Sequence, residues 1–472
     1  MRRYDQFPIH DTQPPYDVTR TSLPLPAHKT QPLGQPAPTP VPIPAPVPPT
    51  ARRGRLIPLL IAGCVVLVSA LLVFTSASLG MLPPLPSLGG NTNNATPVHP
   101  APAKVVGHIY FGSSGQNSMN TNQGIADQVD LDLSGISNPA PGKSYYAWLL
   151  NDATSEGKAL LLGTLAVNHG TVHLHYGGDA EHTNLLEVSN RLLITEENAT
   201  PTPDVPSLDS STWRYMAQIP HTPNPADTVH HFSLLDHLRH LLAADPMLAA
   251  AGLPGGLDIW LFRNTQKILE WAGSARDDWS PQGVGILRRQ TIRVLDYLDG
   301  ATYVTSDVPI NTPFLVDPQI GKVPLLEFDV QHEEPPGYLY HIGLHLQGLI
   351  TSPGATAQQK QLAVQIDTAL SKIQALLEKM RQDAKQLVFM TDEQLLQPKA
   401  FTLLDDMVKQ AQDAFVGQFD PTTGEIQNGI TQVHYAIQRL ATLEVTVIPS
   451  TAKTTTVNPE YIGPKSTHQG QG

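Results

Sequence analysis

The chain has 472 residues, a formal net charge of −12 and 40% hydrophobic residues, enough apolar material for more than one packed domain. An acidic balance excludes a nucleic-acid partner held by its phosphates. The single cysteine, Cys64, lies inside an apolar run, which excludes disulfides, thiol catalysis and cysteine-based zinc sites everywhere else.

Residues 1–55 hold 14 of the 44 prolines and carry a net of +4, so residues 56–472 carry −16. A segment so poor in large apolar side chains builds no core and reads as a disordered, proline-rich tail. Residues 56–75 (LIPLLIAGCVVLVSALLVFT) contain no charge. As a helix this run is ~30 Å long, the thickness of a bilayer core. Arg52, Arg53 and Arg55 precede it and no Lys or Arg follows until Lys104, which places the N-terminus in the cytoplasm and the bulk of the chain outside. The membrane is therefore an expected partner. Residues 76–103, rich in Gly, Pro, Asn and Ser, read as a flexible stalk.

From 104 to 199 the pattern changes to short alternating runs bounded by turns, among them VVGHIYF, DQVDLDL, SYYAWLL, LLLGTLAV, GTVHLHY and RLLITEE. In DQVDLDL, Val129, Leu131 and Leu133 alternate with Asp130 and Asp132, the signature of a strand with one wet face. These runs predict an antiparallel β-sandwich. The order Tyr145-x-x-Trp148-Leu149-Leu150, then Leu162 to Leu165, then an alternating strand, then Leu192 to Glu197 with a Pro-rich exit, resembles the extracytoplasmic domain of anti-sigma-K factors. The resemblance spans about 90 residues of the 472 and implies a β-sandwich on the outer side of a single membrane helix, with a sensor-like topology. It does not extend to the sigma-binding activity, because the cytoplasmic side here is a proline-rich tail in place of a small helical domain.

Residues 200–228 read as a linker, and 229–445 as an all-α bundle with apolar residues at i, i+3 and i+4. HLRHLLAADP (237–246) is echoed by HLQGLITSP (345–353), Lys267-Ile268 and Arg276 by Lys372-Ile373 and Arg381, and RVLDYL (293–298) by TLLDDM (402–407). The offsets of 108, 105 and 109 predict two duplicated units, 229–300 and 340–441. Residues 446–472 read as a disordered tail that follows an apolar LEVTVI, itself a terminal strand or strap.

Histidine is the residue type that carries candidate chemistry. His173 and His175 share one side of a predicted strand, and His341 and His345 share one helix face, as do His237 and His240. These spacings suit metal ligation, and the four candidate ligands are His173, His175, His341 and His345. Duplication makes His237 and His345 equivalent, so a site on a pseudo-twofold axis is conceivable. No G-x-S-x-G elbow, phosphate loop or dinucleotide fingerprint is present, and GSSG (112–115) lacks the spacing of a nucleophile turn. No catalytic residue and no cofactor is expected. The leading expectation is a non-catalytic, membrane-anchored protein that binds or senses an envelope ligand or protein, or supports an envelope assembly. The alternative is a metal- or haem-binding protein that uses the histidines, and the third a hydrolase of unfamiliar type.

Overall fold

Period-two alternation builds the first part of the chain as expected from its side chains: Val129, Leu131 and Leu133 are buried while Asp130 and Asp132 stay half-exposed. The computed structural model describes residues 104–116, 122–151, 159–328, 335–422 and 425–449. The expected membrane span 56–75, with the tail and stalk that flank it and the residues from 450 onward, lies outside the described residues. Among the described residues, no helix is long and apolar enough to cross a membrane.

Strands β1 (Val105–Gly112), β2 (Gln128–Ser134), β3 (Lys143–Asn151), β4 (Leu160–Leu165), β5 (Thr171–Tyr176), β6 (Ser189–Asn198) and β7 (Trp213–Gln218) belong to one antiparallel sheet. A short hairpin, β8 (Gln418–Asp420) with β9 (Glu425–Gln427), stands apart from it, and β10 (Leu443–Val447) completes it. The order is β4-β3-β6-β7-β10-β1-β2-β5. At the two edges β4 meets β5, where a Cβ on Gly163 would lie 3.2 Å from Leu174 Cδ1. β1 bulges against β10 between Val105 and Gly107, and glycine at 107 keeps a side chain from running into the backbone carbonyl of Asp132 in β2. Tyr145, Ala147 and Leu149 of β3 enter the main core, and Trp148 donates from Nε1 to Thr195 Oγ1 at 2.9 Å.

Two features differ from the sequence reading. The stretch expected as the linker 200–228 contains β7, whose Tyr215 and Ala217 are buried while Met216 is exposed. The neighbouring prolines and threonines hide this alternation. The apolar LEVTVI run, expected at the end of the fold, is its centre: β10 lies between β7 and β1, with Leu443 paired to Ile109 and Thr446 to Met216. The helical region is therefore bracketed by strands of one sheet.

A short α1 (Leu185–Val188) lies within the sheet portion, and the helical region begins with α2 (Leu234–Leu242), α3 (Pro246–Ala250), α4 (Leu257–Asp277) and α5 (Val284–Tyr303). After these come α6 (Tyr338–Thr351), α7 (Ala357–Val388), α8 (Asp392–Leu395), α9 (Pro398–Phe415) and α10 (Ile430–Arg439). The α4–α5 and α7–α9 hairpins pack as a bundle, α4 against α9 and α5 against α7, and α6 lies between α2 and α7. Sheet and helices share one continuous apolar core. Asn184 Nδ2 donates to the Leu242 carbonyl and Arg239 Nε to the Leu186 carbonyl, which fixes α2 to the sheet portion.

Candidate metal centre

Helix α2 starts where its sequence directs. Ser233 and Asp236 form a reciprocal capping box, and Leu234, Leu238, Leu241 and Leu242 make a buried stripe that leaves His237 and His240 on the flank facing α6. The next element follows at once because Asp245-Pro246 is an N-cap followed by a proline at the first helical position. Asp245 Oδ1 accepts the N–H of Met247 at 2.9 Å and of Leu248 at 3.0 Å, which leaves Oδ2 turned to the histidines. From the opposite side, α6 presents His341 and His345 one turn apart beside the buried Tyr338, Ile342 and Leu349.

Four donor atoms converge. Asp245 Oδ2 lies 3.9 Å from His240 Nδ1, 3.9 Å from His341 Nε2 and 3.8 Å from His345 Nε2. His341 Nε2 and His345 Nε2 are 3.1 Å apart. A tetrahedral ion with ligands at ~2.0–2.1 Å separates its donors by about 3.4 Å, so these spacings bracket the edge of such a tetrahedron. One ligand atom from each of His240, Asp245 and His345 lies within 4.8 Å of the other two. His345 and Asp245 are buried, and His341 and His240 nearly so.

Burial sets the electrostatics. It lowers His341 and His237 to about 4, pushes His345 down further and lowers His240, so all four rings are neutral and keep a lone pair at physiological pH. Burial raises the Asp245 carboxyl, so its charged form is costly without a cation beside it. A dication reverses that cost. The Tyr338 hydroxyl of α6, fully buried and without a hydrogen-bond partner among the described residues, feels the charge of Asp245 at the start of α3.

Segment 227–233 covers the cluster. Asp227 accepts backbone N–H groups from Val229, His230 and Phe232, which bends the segment into a strap. Phe232 sets its ring edge-on to His240 at 4.8 Å and to His237 at 5.6 Å, and His230 stacks on its outer face at 5.0 Å.

The sheet candidates sit elsewhere. His173 pairs across strands with Asp132 at 2.5 Å and His175 with Asp130 at 2.8 Å, both exposed, and each imidazole takes its own carboxylate. Ser114 of the GSSG turn donates to Asp127 Oδ2 at 2.6 Å, and His182 Nδ1 meets that same oxygen at 2.9 Å. In a Ser-His-Asp relay the serine and the aspartate lie on opposite ring nitrogens, so this trio is no nucleophile. A buried pair, His434 Nδ1 with Asp258 Oδ2 at 2.6 Å, joins α10 to the start of α4, and Gln438 occupies the other ring nitrogen.

Thus His341 and His345, singled out by spacing, come together with His240 and with Asp245, which sequence reasoning missed. The signal for Asp245 was present as an Asp-Pro step five residues after His240, but it reads simply as a helix cap. No protein-family model, curated protein or solved structure matches the chain.

Proposed function

We propose that this chain is a metal-binding protein that holds one divalent transition ion, of the zinc class, between His240, Asp245, His341 and His345. The observation that carries the reading is the convergence of three imidazole nitrogens on Asp245 Oδ2, each 3.8–3.9 Å from it, in a buried place. Three nitrogens and one oxygen suit Zn²⁺ and its neighbours better than the hard ions Mg²⁺ or Ca²⁺, which take oxygen. Four protein donors complete the set and leave no position open for substrate, which favours holding an ion over catalysis. Haem fits less well, since its two axial ligands flank a flat macrocycle and here a third imidazole and a carboxylate occupy that place. The site belongs, in this reading, to the extracytoplasmic part of a single-pass membrane protein anchored by residues 56–75, with the β-sheet portion as a sandwich of the anti-sigma-K sensor type.

The reading also takes the helical region as two copies of one unit related by a pseudo-twofold axis. Two ion pairs link the units: Arg276 of the first bonds Asp405 of the second at 2.9 Å, while the equivalent Arg381 bonds Asp299 of the first at 2.8 Å, three residues beyond Asp296, the equivalent of Asp405. The helix contacts are reciprocal, α4 of the first unit on α9 of the second and α5 on α7, which is what a twofold interface requires. His237 and His345, 108 residues apart, touch each other, as equivalent residues on such an axis do.

The test is elemental analysis of the full-length chain purified in mild detergent, after exposure to Zn²⁺ and gel filtration. One ion per chain is expected. A chain free of metal, with melting unmoved by Zn²⁺, Co²⁺ or Cu²⁺, overturns the reading.

A further inference from the structure

We infer that His237, which gives no ligand atom, is the positioning residue of this centre: it accepts the Nδ1–H of His345 and thereby keeps the Nε2 lone pair of His345 on the metal. The inference rests on the metal reading above. His237 Nδ1 lies 3.0 Å from His345 Nδ1, and both rings are buried. A neutral imidazole carries one proton. If Nε2 of His345 is to bind an ion, that proton must sit on Nδ1, and a buried N–H needs an acceptor. The lone pair of His237 Nδ1 is in the right place, and His237 is then protonated on Nε2. Hydrogen bonds of this kind from a ligand's second nitrogen fix its tautomer and ring direction.

Packing holds the His237 ring in that pose. Phe232 closes one side, and the backbone of α6 closes another at Gly348, where an added Cβ would fall 2.2 Å from His237 Cε1 and 2.3 Å from Nε2. Glycine at 348 is what admits the ring. Any side chain there would push His237 away from His345, so one turn of α6 supplies both the ligand and the room for its support.

The experiment measures Zn²⁺ affinity of the full-length chain by competition with a chromophoric chelator for the wild type, His237→Phe and His237→Asn. The phenyl ring fills the space without an acceptor, whereas the Asn carbonyl oxygen replaces Nδ1. His237→Phe is expected to bind about 10–100-fold more weakly and His237→Asn to recover most of the loss. Nitrogen-15 spectra of the zinc-loaded wild type are expected to show His345 protonated on Nδ1 and His237 on Nε2, which decides the matter even if the Phe variant does not fold. Wild-type affinity in His237→Phe, an Asn variant no better than Phe, or a proton on Nε2 of His345 overturns the positioning role while leaving the metal reading intact. A wild type that binds no zinc removes both.

Discussion

Asp245→Asn separates the two roles of one carboxylate. Oδ1 caps α3 through Met247 and Leu248, and an Asn carbonyl oxygen keeps those bonds; Oδ2 faces three imidazoles, and an amide nitrogen there is no ligand. An ion present at a hundredfold excess over its dissociation constant stabilises the folded chain by about 2.7 kcal/mol. Unfolding entropy of ~2.1 cal/mol/K per residue, taken over the roughly 330 described residues, gives ~0.7 kcal/mol per degree. The wild type should therefore melt about 4 °C higher with Zn²⁺ than with chelator. The Asn variant should show no such rise. Because burial raises the Asp245 carboxyl, its charge opposes folding at neutral pH, so the metal-free Asn variant should melt at or above the metal-free wild type. Scanning calorimetry with and without Zn²⁺ reads both quantities. An Asn variant that keeps the full zinc-induced rise, or that melts several degrees below wild type without metal, refutes the reasoning.

Arg381 faces buried Asp307, which Lys385 also holds, and buried Asp299, so Arg381→Gln should cost more in urea unfolding than Arg276→Gln at the exposed Asp405 pair, which should cost under about 1 kcal/mol; equal costs would contradict the burial argument. Burial raises Asp299 to about 8, against the pull of Arg381 and with the push of Asp307, so the folded chain keeps a proton that the unfolded chain releases. Its contribution is then largest below the ordinary carboxylate range, falls as pH rises toward about 8 and levels beyond, and Asp299→Asn should flatten that slope in the wild-type minus variant difference. Asp227→Ala frees three backbone N–H groups of the strap and should speed zinc release to a chelator; an unchanged rate would show that the strap does not gate the site. Truncation after Thr442 removes the strand between β7 and β1, and the product should be insoluble or protease-labile rather than a sheet shortened at one edge.

The sequence was most legible where a short period repeats: Val129, Leu131 and Leu133 announce a strand, and Leu234, Leu238 and Leu241 a helix face. It was less legible where a strand is brief and flanked by prolines, as at Tyr215 and Ala217. The place of β10 in the sheet was unreadable, since strand order depends on contacts far apart along the chain. The candidate site was half legible. Spacing put His341 with His345, and duplication hinted at His237, but only the fold reveals that Asp245 turns its second oxygen inward. The same fold places His173 and His175 against Asp132 and Asp130, partners that strand register selects and spacing within one strand does not.

The adjacency of Val105 with Thr446, reinforced by the bond from the Val447 N–H to the Lys104 carbonyl, means that the polypeptide enters and leaves the folded body at one corner. Tension between its two flanks would load that corner's bonds one after another, as a zipper opens, rather than all together as in shear.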